Sequence, residues 1–162
     1  MKALGIDIGT TTISAVVMNM DTQKVEKSYT VSNNSFLVTS HVWEKVQDPA
    51  VMITKAKKLV DSILEEYPEI ARIGLTGQMH GIVYIDENGR AISPLYTWQD
   101  RRCDEKCFEE KSICQVIAEE TGRMVPTGYG LATHIFNLKM GIVPKEAEQI
   151  CTIMDYFGMV LT

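Results

Sequence analysis

Hydrophobic and polar positions alternate at the start of the chain. In "LGIDIGTTTISAVVMN", residues 4 to 19, Leu4, Ile6 and Ile8 fall on one side of an extended strand, while Gly5, Asp7 and Gly9 fall on the other. This predicts strands over residues 3 to 8 and 12 to 19 joined by a short Gly-Thr turn. "KVEKSYTV", after the turn at Asp21, predicts a third, and the three together make an antiparallel meander. Residues 31 to 47 show no period and read as a loop. The period then changes to that of a helix. Asp48 is its N-cap and Pro49 its first position, with Met52, Ala56, Leu59, Val60, Ile63, Leu64 and Tyr67 on one side. Lys55, Lys57, Lys58, Asp61 and Glu65 are predicted to face water, and Pro68 stops the helix. "IARIGLTG" and "GIVYID" predict further strands, the second followed by an "ENGR" turn. Helices are predicted from about Cys103 to Glu120 and from Leu131 to Lys139, and a strand "QICTIM" precedes a last helix. The fold class is therefore α/β, with a mixed sheet.

Composition narrows the partners more than the fold. With 162 residues, 45% of them hydrophobic, the chain can bury the core of one globular domain. Its net charge of -5 gives no basic footprint for nucleic acid or an anionic membrane surface. No apolar run reaches the length of a membrane span, and Asp7 interrupts any signal-peptide core, so a cytoplasmic protein is expected. Of the four cysteines, Cys103, Cys107 and Cys114 would share a face of the predicted helix. At about 1.5 Å per residue, the outer two would stand roughly 16 Å apart, too far for one zinc ion. They and Cys151 read as reduced thiols.

Candidate chemistry begins at Asp7. A carboxylate beside a sheet core needs a partner or a metal. The flanking glycines clear space, and the hydroxyls and amides of Thr10, Thr11 and Thr12 lie at the adjacent turn, so the stretch suits phosphate with a magnesium-attracting acid alongside. A plain hairpin satisfied by its own side chains is the competing account. "LTGQMHG" places Gln78, Met79 and His80 after a strand end, where α/β sheets bind ligands, and an amide with an imidazole suits a polyol. In "SPLYTWQDRR", Trp98 offers a flat face for sugar C–H groups and Asp100 an acceptor for hydroxyls. The alternative is a buried Trp98 with a surface Asp100–Arg102 pair. "TGYGLATH" presents Tyr129 in a glycine-flanked loop, as a ligand contact or as gap filling.

These segments, in order, resemble the N-terminal part of the FGGY family of carbohydrate kinases. "GIDIGTTT" resembles the first phosphate motif, "QDP" the start of the first long helix, and "GQMHG" the xylulokinase-like substrate segment. "TWQDRR" resembles the W-x-D-x-R motif, "GYGLATH" a sugar-lining loop, and "MDYFGMVLT" a later helix. "TWQDRRC" with "TGYGLAT" looks closest to the sedoheptulokinase branch. His134 departs from the pattern, standing where several relatives have lysine.

The resemblance implies a ribonuclease H-like fold, shared with actin and hexokinase, and an ATP-dependent kinase acting on a ketose or related polyol. Asp7 would hold Mg2+ and the turn Gly9, Thr10, Thr11 and Thr12 would face the phosphates of ATP. Gln78, Met79, His80, Trp98, Asp100 and Tyr129 would surround the sugar. The family's catalytic base lies beyond Thr162, so residues 1 to 162 are expected to be an incomplete N-terminal domain without a second domain, inactive alone. The expected partners are a sugar or polyol and the missing C-terminal kinase domain, and a homo-oligomer is compatible with the sequence. A non-catalytic sugar-binding module retaining the half-site is the alternative.

Overall fold

A computed structural model describes residues 1–162, and the chain divides into two compact units. The first comprises Met1–Ser35, Ala50–Gln78 and Met154–Thr162; the second comprises Phe36–Pro49 and Met79–Ile153.

The first unit is built on β1 (Lys2–Ile8), β2 (Thr12–Asn19), β3 (Lys24–Ser32) and a later strand, Ile70–Gly77. β1 and β2 pair antiparallel, as do β2 and β3, while Ile70–Gly77 joins β1 in parallel. The parallel pairing requires a crossover, which a helix over Pro49–Glu66 provides. Alternation decides which face is buried. Leu4, Ile6, Ile8, Ile13, Ala15 and Val17 are buried, together with Met52, Ala56, Val60 and Ile63 of the helix. Leu75 and Gly77 lie opposite Ile6 and Ile8, on that same side, and there they meet the last helix. A Cβ on Gly77 would stand 2.9 Å from Met154 Cγ, and one on Gly158 would stand 3.5 Å from Leu75 Cδ1. The opposite face carries Gly5, Asp7, Ser14, Val16, Gly74 and Thr76 around an open groove of about 340 Å3. Lys55 does not simply face water: its Nζ donates to the carbonyls of Ser32 and Asn33, tying the helix to the end of β3.

The second unit has two short ladders. Within the region expected as loop, β4 (Val46–Gln47) pairs antiparallel with a strand over Leu95–Tyr96. The remaining ladder joins Val83–Ile85 to Gln149–Cys151. In chain order the helix Pro49–Glu66 is α1, and the strands Ile70–Gly77, Val83–Ile85, Leu95–Tyr96 and Gln149–Cys151 are β5 to β8. The later helices are α2 (Ile113–Thr121), α3 (Gly130–Lys139) and α4 (Ile153–Leu161). Ile82, Tyr84, Tyr96 and Val46 form one core cluster; Cys103, Ile113, Ala132 and Phe136 form another.

The helix expected from Cys103 is a single 3-10 turn over Arg102–Asp104, and α2 begins ten residues later. Glu109 and Glu110 adopt φ of 50° and 65°, a left-handed pair that no α-helix can contain. Ser112 then starts α2 with a capping box, its side chain accepting from Gln115 N–H while Gln115 accepts from Ser112 N–H. Cys103 and Cys114 consequently sit on different elements. No group of His, Cys, Asp and Glu side chains is arranged to hold a metal by itself. Burial pushes the Cys103 thiol up to about 12, leaving it an inert core residue.

Candidate functional site

The residues expected to face phosphate lie in the first unit, where β1 runs into a two-residue turn. Gly9 N–H donates to Thr12 O at 2.9 Å, and a Cβ on Gly9 would stand the same 2.9 Å from that oxygen, so the turn closes only with glycine. Thr11 and Thr12 are exposed. Asp7 is also exposed, on the open face, in register with Ser14 of β2 and Thr76 of β5. A carboxylate with neighbouring hydroxyls on an uncovered face is a set of hard oxygen donors, which suits Mg2+ in contact with phosphate. These residues fit the ion, with phosphate or water completing its shell. Gln78, expected beside the sugar, lies against this turn: its N–H donates to Ile8 O at 3.0 Å, and its Oε1 accepts from Thr10 Oγ1 at 3.3 Å.

Asn33, which the sequence reading passed over, stands behind the same turn. It is fully buried; its N–H donates to Thr11 O and its Nδ2 to Gly9 O, both at 2.8 Å.

In the second unit, Met79, His80, Trp98 and Tyr129 are all exposed. The His80 and Tyr129 rings stack, with centroids 4.1 Å apart and planes 16° from parallel. Two backbone approaches assemble this group. Gly128, at φ 82°, lies so close to Trp98 that a Cβ would fall 2.0 Å from its carbonyl oxygen; a Cβ on Gly130 would fall 2.8 Å from His80 O. The segment Gly128–Gly130 is thereby fitted against the backbones of both Trp98 and His80, carrying Tyr129 with it. His80 itself takes φ 70°, a conformation that non-glycine residues seldom adopt outside constrained sites.

Asp100 sits differently from the expectation of a hydroxyl acceptor. It is 0% exposed, and its Oδ1 accepts from Arg102 N–H at 3.0 Å and Arg102 Nε at 2.7 Å. Its Oδ2 accepts from Lys45 N–H at 2.9 Å and Arg102 Nη2 at 3.0 Å. Four donors fill the four lone-pair directions of a carboxylate, so none remains for a ligand hydroxyl. The Asp100–Arg102 pair is buried and Trp98 is exposed, the reverse of the competing sequence reading. Arg102 also donates to Asn137 Oδ1 at 2.9 Å and lies over the Tyr96 ring at 4.3 Å. Burial works against its charge, but hydrogen bonds and charge from Asp100 hold its pKa above the usual guanidinium value. The network continues from Asn137 Nδ2 to Tyr84 OH at 3.3 Å. That hydroxyl is 2.9 Å from His134 Nδ1, which gives His134 a partner in the fold.

Known proteins with the same pattern decide the family. The FGGY family of carbohydrate kinases, N-terminal domain, matches residues 2–162. The chain belongs to the FGGY family. Xylulose kinase of Staphylococcus xylosus is 35% identical over 110 residues, 67% of this chain and 22% of that enzyme. Sedoheptulokinase of Mus musculus is 26% identical over 177 residues, covering 94% of this chain and 36% of that enzyme. Among solved structures, the xyloylose kinase of Brucella ovis superposes with a TM-score of 0.79 at 22% identity, over 98% of this chain and 34% of that one. The FGGY chain described here thus spans about a third of its structural relative's length and shares its fold.

Proposed function

We propose that this chain is the N-terminal portion of an ATP-dependent carbohydrate kinase that transfers the γ-phosphate of ATP to a hydroxyl of a ketose or related polyol, xylulose- or sedoheptulose-like. The observation that carries this reading is the exposed stack of His80 on Tyr129, with Trp98 fixed to the same segment, in an FGGY chain. Flat rings with one imidazole suit the C–H faces and hydroxyls of an open-chain sugar. Met79 borders the same surface.

In this reading the fold is the ribonuclease H-like ATPase fold, and the turn Gly9–Thr12 directs backbone and hydroxyl donors at the nucleotide phosphates. Asp7 holds Mg2+, which neutralises charge on the phosphates when bound. Gln78 orients Thr10. His80, Trp98 and Tyr129 orient the polyol and keep water from its reacting hydroxyl, since phosphoryl transfer depends chiefly on positioning and electrostatics. Asp100 acts behind them, holding Arg102. The base that takes the hydroxyl proton and the rest of the nucleotide site are assigned to the C-terminal part of the enzyme. No helix is long and apolar enough to cross a membrane.

The test is ADP release by the complete gene product with MgATP and a panel of xylulose, sedoheptulose, gluconate and glycerol. Release dependent on a ketose is expected, with Tyr129→Ala raising the ketose KM about tenfold or more. Polyol binding without ADP release would instead indicate a sugar-binding module. Absence of both would overturn the reading.

A further inference from the structure

We propose that Asn33 is a positioning residue for nucleotide binding, acting through the orientation of the Gly9–Thr10 peptide. The inference rests on the reading of Gly9–Thr12 as the phosphate turn.

Three observations carry it. First, Asn33 is 0% exposed, yet its side chain makes a single hydrogen bond, from Nδ2 to Gly9 O at 2.8 Å; Oδ1 meets no donor. Buried amides ordinarily satisfy both ends with protein groups or water. Here the one interaction the side chain makes is with the turn. Second, Asn33 is itself clamped. Its N–H donates to Thr11 O at 2.8 Å, and its carbonyl, with that of Ser32, accepts from Lys55 Nζ of α1. The amide is therefore presented from a fixed backbone.

Third, the peptide it grips is one that would otherwise turn. Thr12 O demands glycine at position 9, and glycine leaves the following peptide plane soft. In a trans peptide the C=O and the next N–H point in opposite directions. Holding Gly9 O inward against Asn33 directs Thr10 N–H outward, to the side where a phosphate oxygen would approach. Replacing the amide frees the plane to rotate, and the turn then loses its preorganisation before any phosphate arrives.

The experiment uses the complete gene product and the near-isosteric variants Asn33→Leu and Asn33→Asp, both of which remove the donor. Asn19→Ala, in the exposed turn at the far end of β2, is the control. ADP affinity by calorimetry, KM for MgATP and for the ketose, and amide exchange at Gly9 and Thr12 are measured. Both variants are expected to bind ADP about tenfold more weakly, the worth of one well-placed hydrogen bond. KM for MgATP should rise in parallel, KM for the ketose should stay within twofold, and Gly9 N–H should exchange faster. Unchanged ADP affinity in both variants overturns the proposal, even if both melt earlier, because a merely structural residue would lower stability alone. Unchanged Gly9 exchange overturns it as well. If the unaltered protein phosphorylates no polyol, the kinase reading falls, and ADP affinity with Gly9 exchange still decides on Asn33.

Discussion

Replacing Asp100 by Asn removes one charge from a site where every neighbour was arranged for it. Arg102, only 2% exposed, would keep its cation but lose its main counter-charge; Glu44, at 3.5 Å, is the nearest carboxylate left. Asn Oδ1 can still accept on one side. On the other, an NH2 group would face Lys45 N–H and Arg102 Nη2, donor against donor. Breaking a buried ion pair from one side costs about 3–5 kcal/mol. At roughly 2–4 °C per kcal/mol for a protein of this size, the melting temperature should fall by about 6–20 °C. A scanning-calorimetry comparison with Asp100→Leu/Arg102→Met adds a second check, because the double variant leaves neither charge buried and should recover part of the loss. The refuting result is specific: Asp100→Asn melting within 2 °C of the parent while its ketose KM rises tenfold or more would make Asp100 a sugar ligand.

Other expectations follow from single contacts. Gly128→Ala puts a methyl 2.0 Å from Trp98 O at φ 82°, so it should cost more than about 2 kcal/mol in urea unfolding and weaken polyol binding with it. In native protein at pH 8, iodoacetamide should label the exposed Cys107 and spare Cys103, whose thiol burial raises to about 12; peptide mass spectrometry reads the order. Lys2, then Asn19, holds Glu26 below the usual carboxylate value of 4.5, and Lys27, then Tyr29, does the same for Glu66. Groups lowered on folding stabilise above their unfolded pKa and cease to do so as pH falls through the folded one. The urea midpoint should therefore be flat from pH 7 to 5 and decline below about 4.5, less steeply in 0.5 M NaCl.

The elements legible in the sequence were those with a strong period or clear turn signals. β1, β2, β3, α1 and β5 lie within two residues of their expected ends; β1, β2 and α1 each bury one face, whereas β3 and β5 have only half-buried and exposed positions and were legible from branched residues between turn signals. α2 was misplaced for a physical reason. Three cysteines at helical spacing suggested a continuous face, whereas the capping pair Ser112 and Gln115 marked the true start and was available to be read. β4 and β7, two residues each, leave no period to detect. At the candidate site, His80, Trp98 and Tyr129 were read as residue types that suit a polyol, and the structure leaves all three exposed with His80 stacked on Tyr129. Asp100 was not legible as a core residue, since nothing in "WQDRRC" distinguishes a surface ion pair from one sealed under aromatic rings. Asn33 lies in "VSNNSF", where neither period nor charge singles it out; only its distance from Gly9 does.

The division of the chain into two units has a consequence for synthesis. The chain passes from one unit to the other after Ser35, Pro49, Gln78 and Ile153, so the first unit receives β5 only after α1 and receives most of α4 last. At about 5–20 residues per second, the ribosome needs roughly 8–30 s to reach Met154. Of that time, the stretch from Gly77 to Met154 takes roughly 4–15 s, during which Leu75 and Gly77 of β5 await the helix that covers them. Until α4 emerges, that side of β5 is apolar surface without its cover.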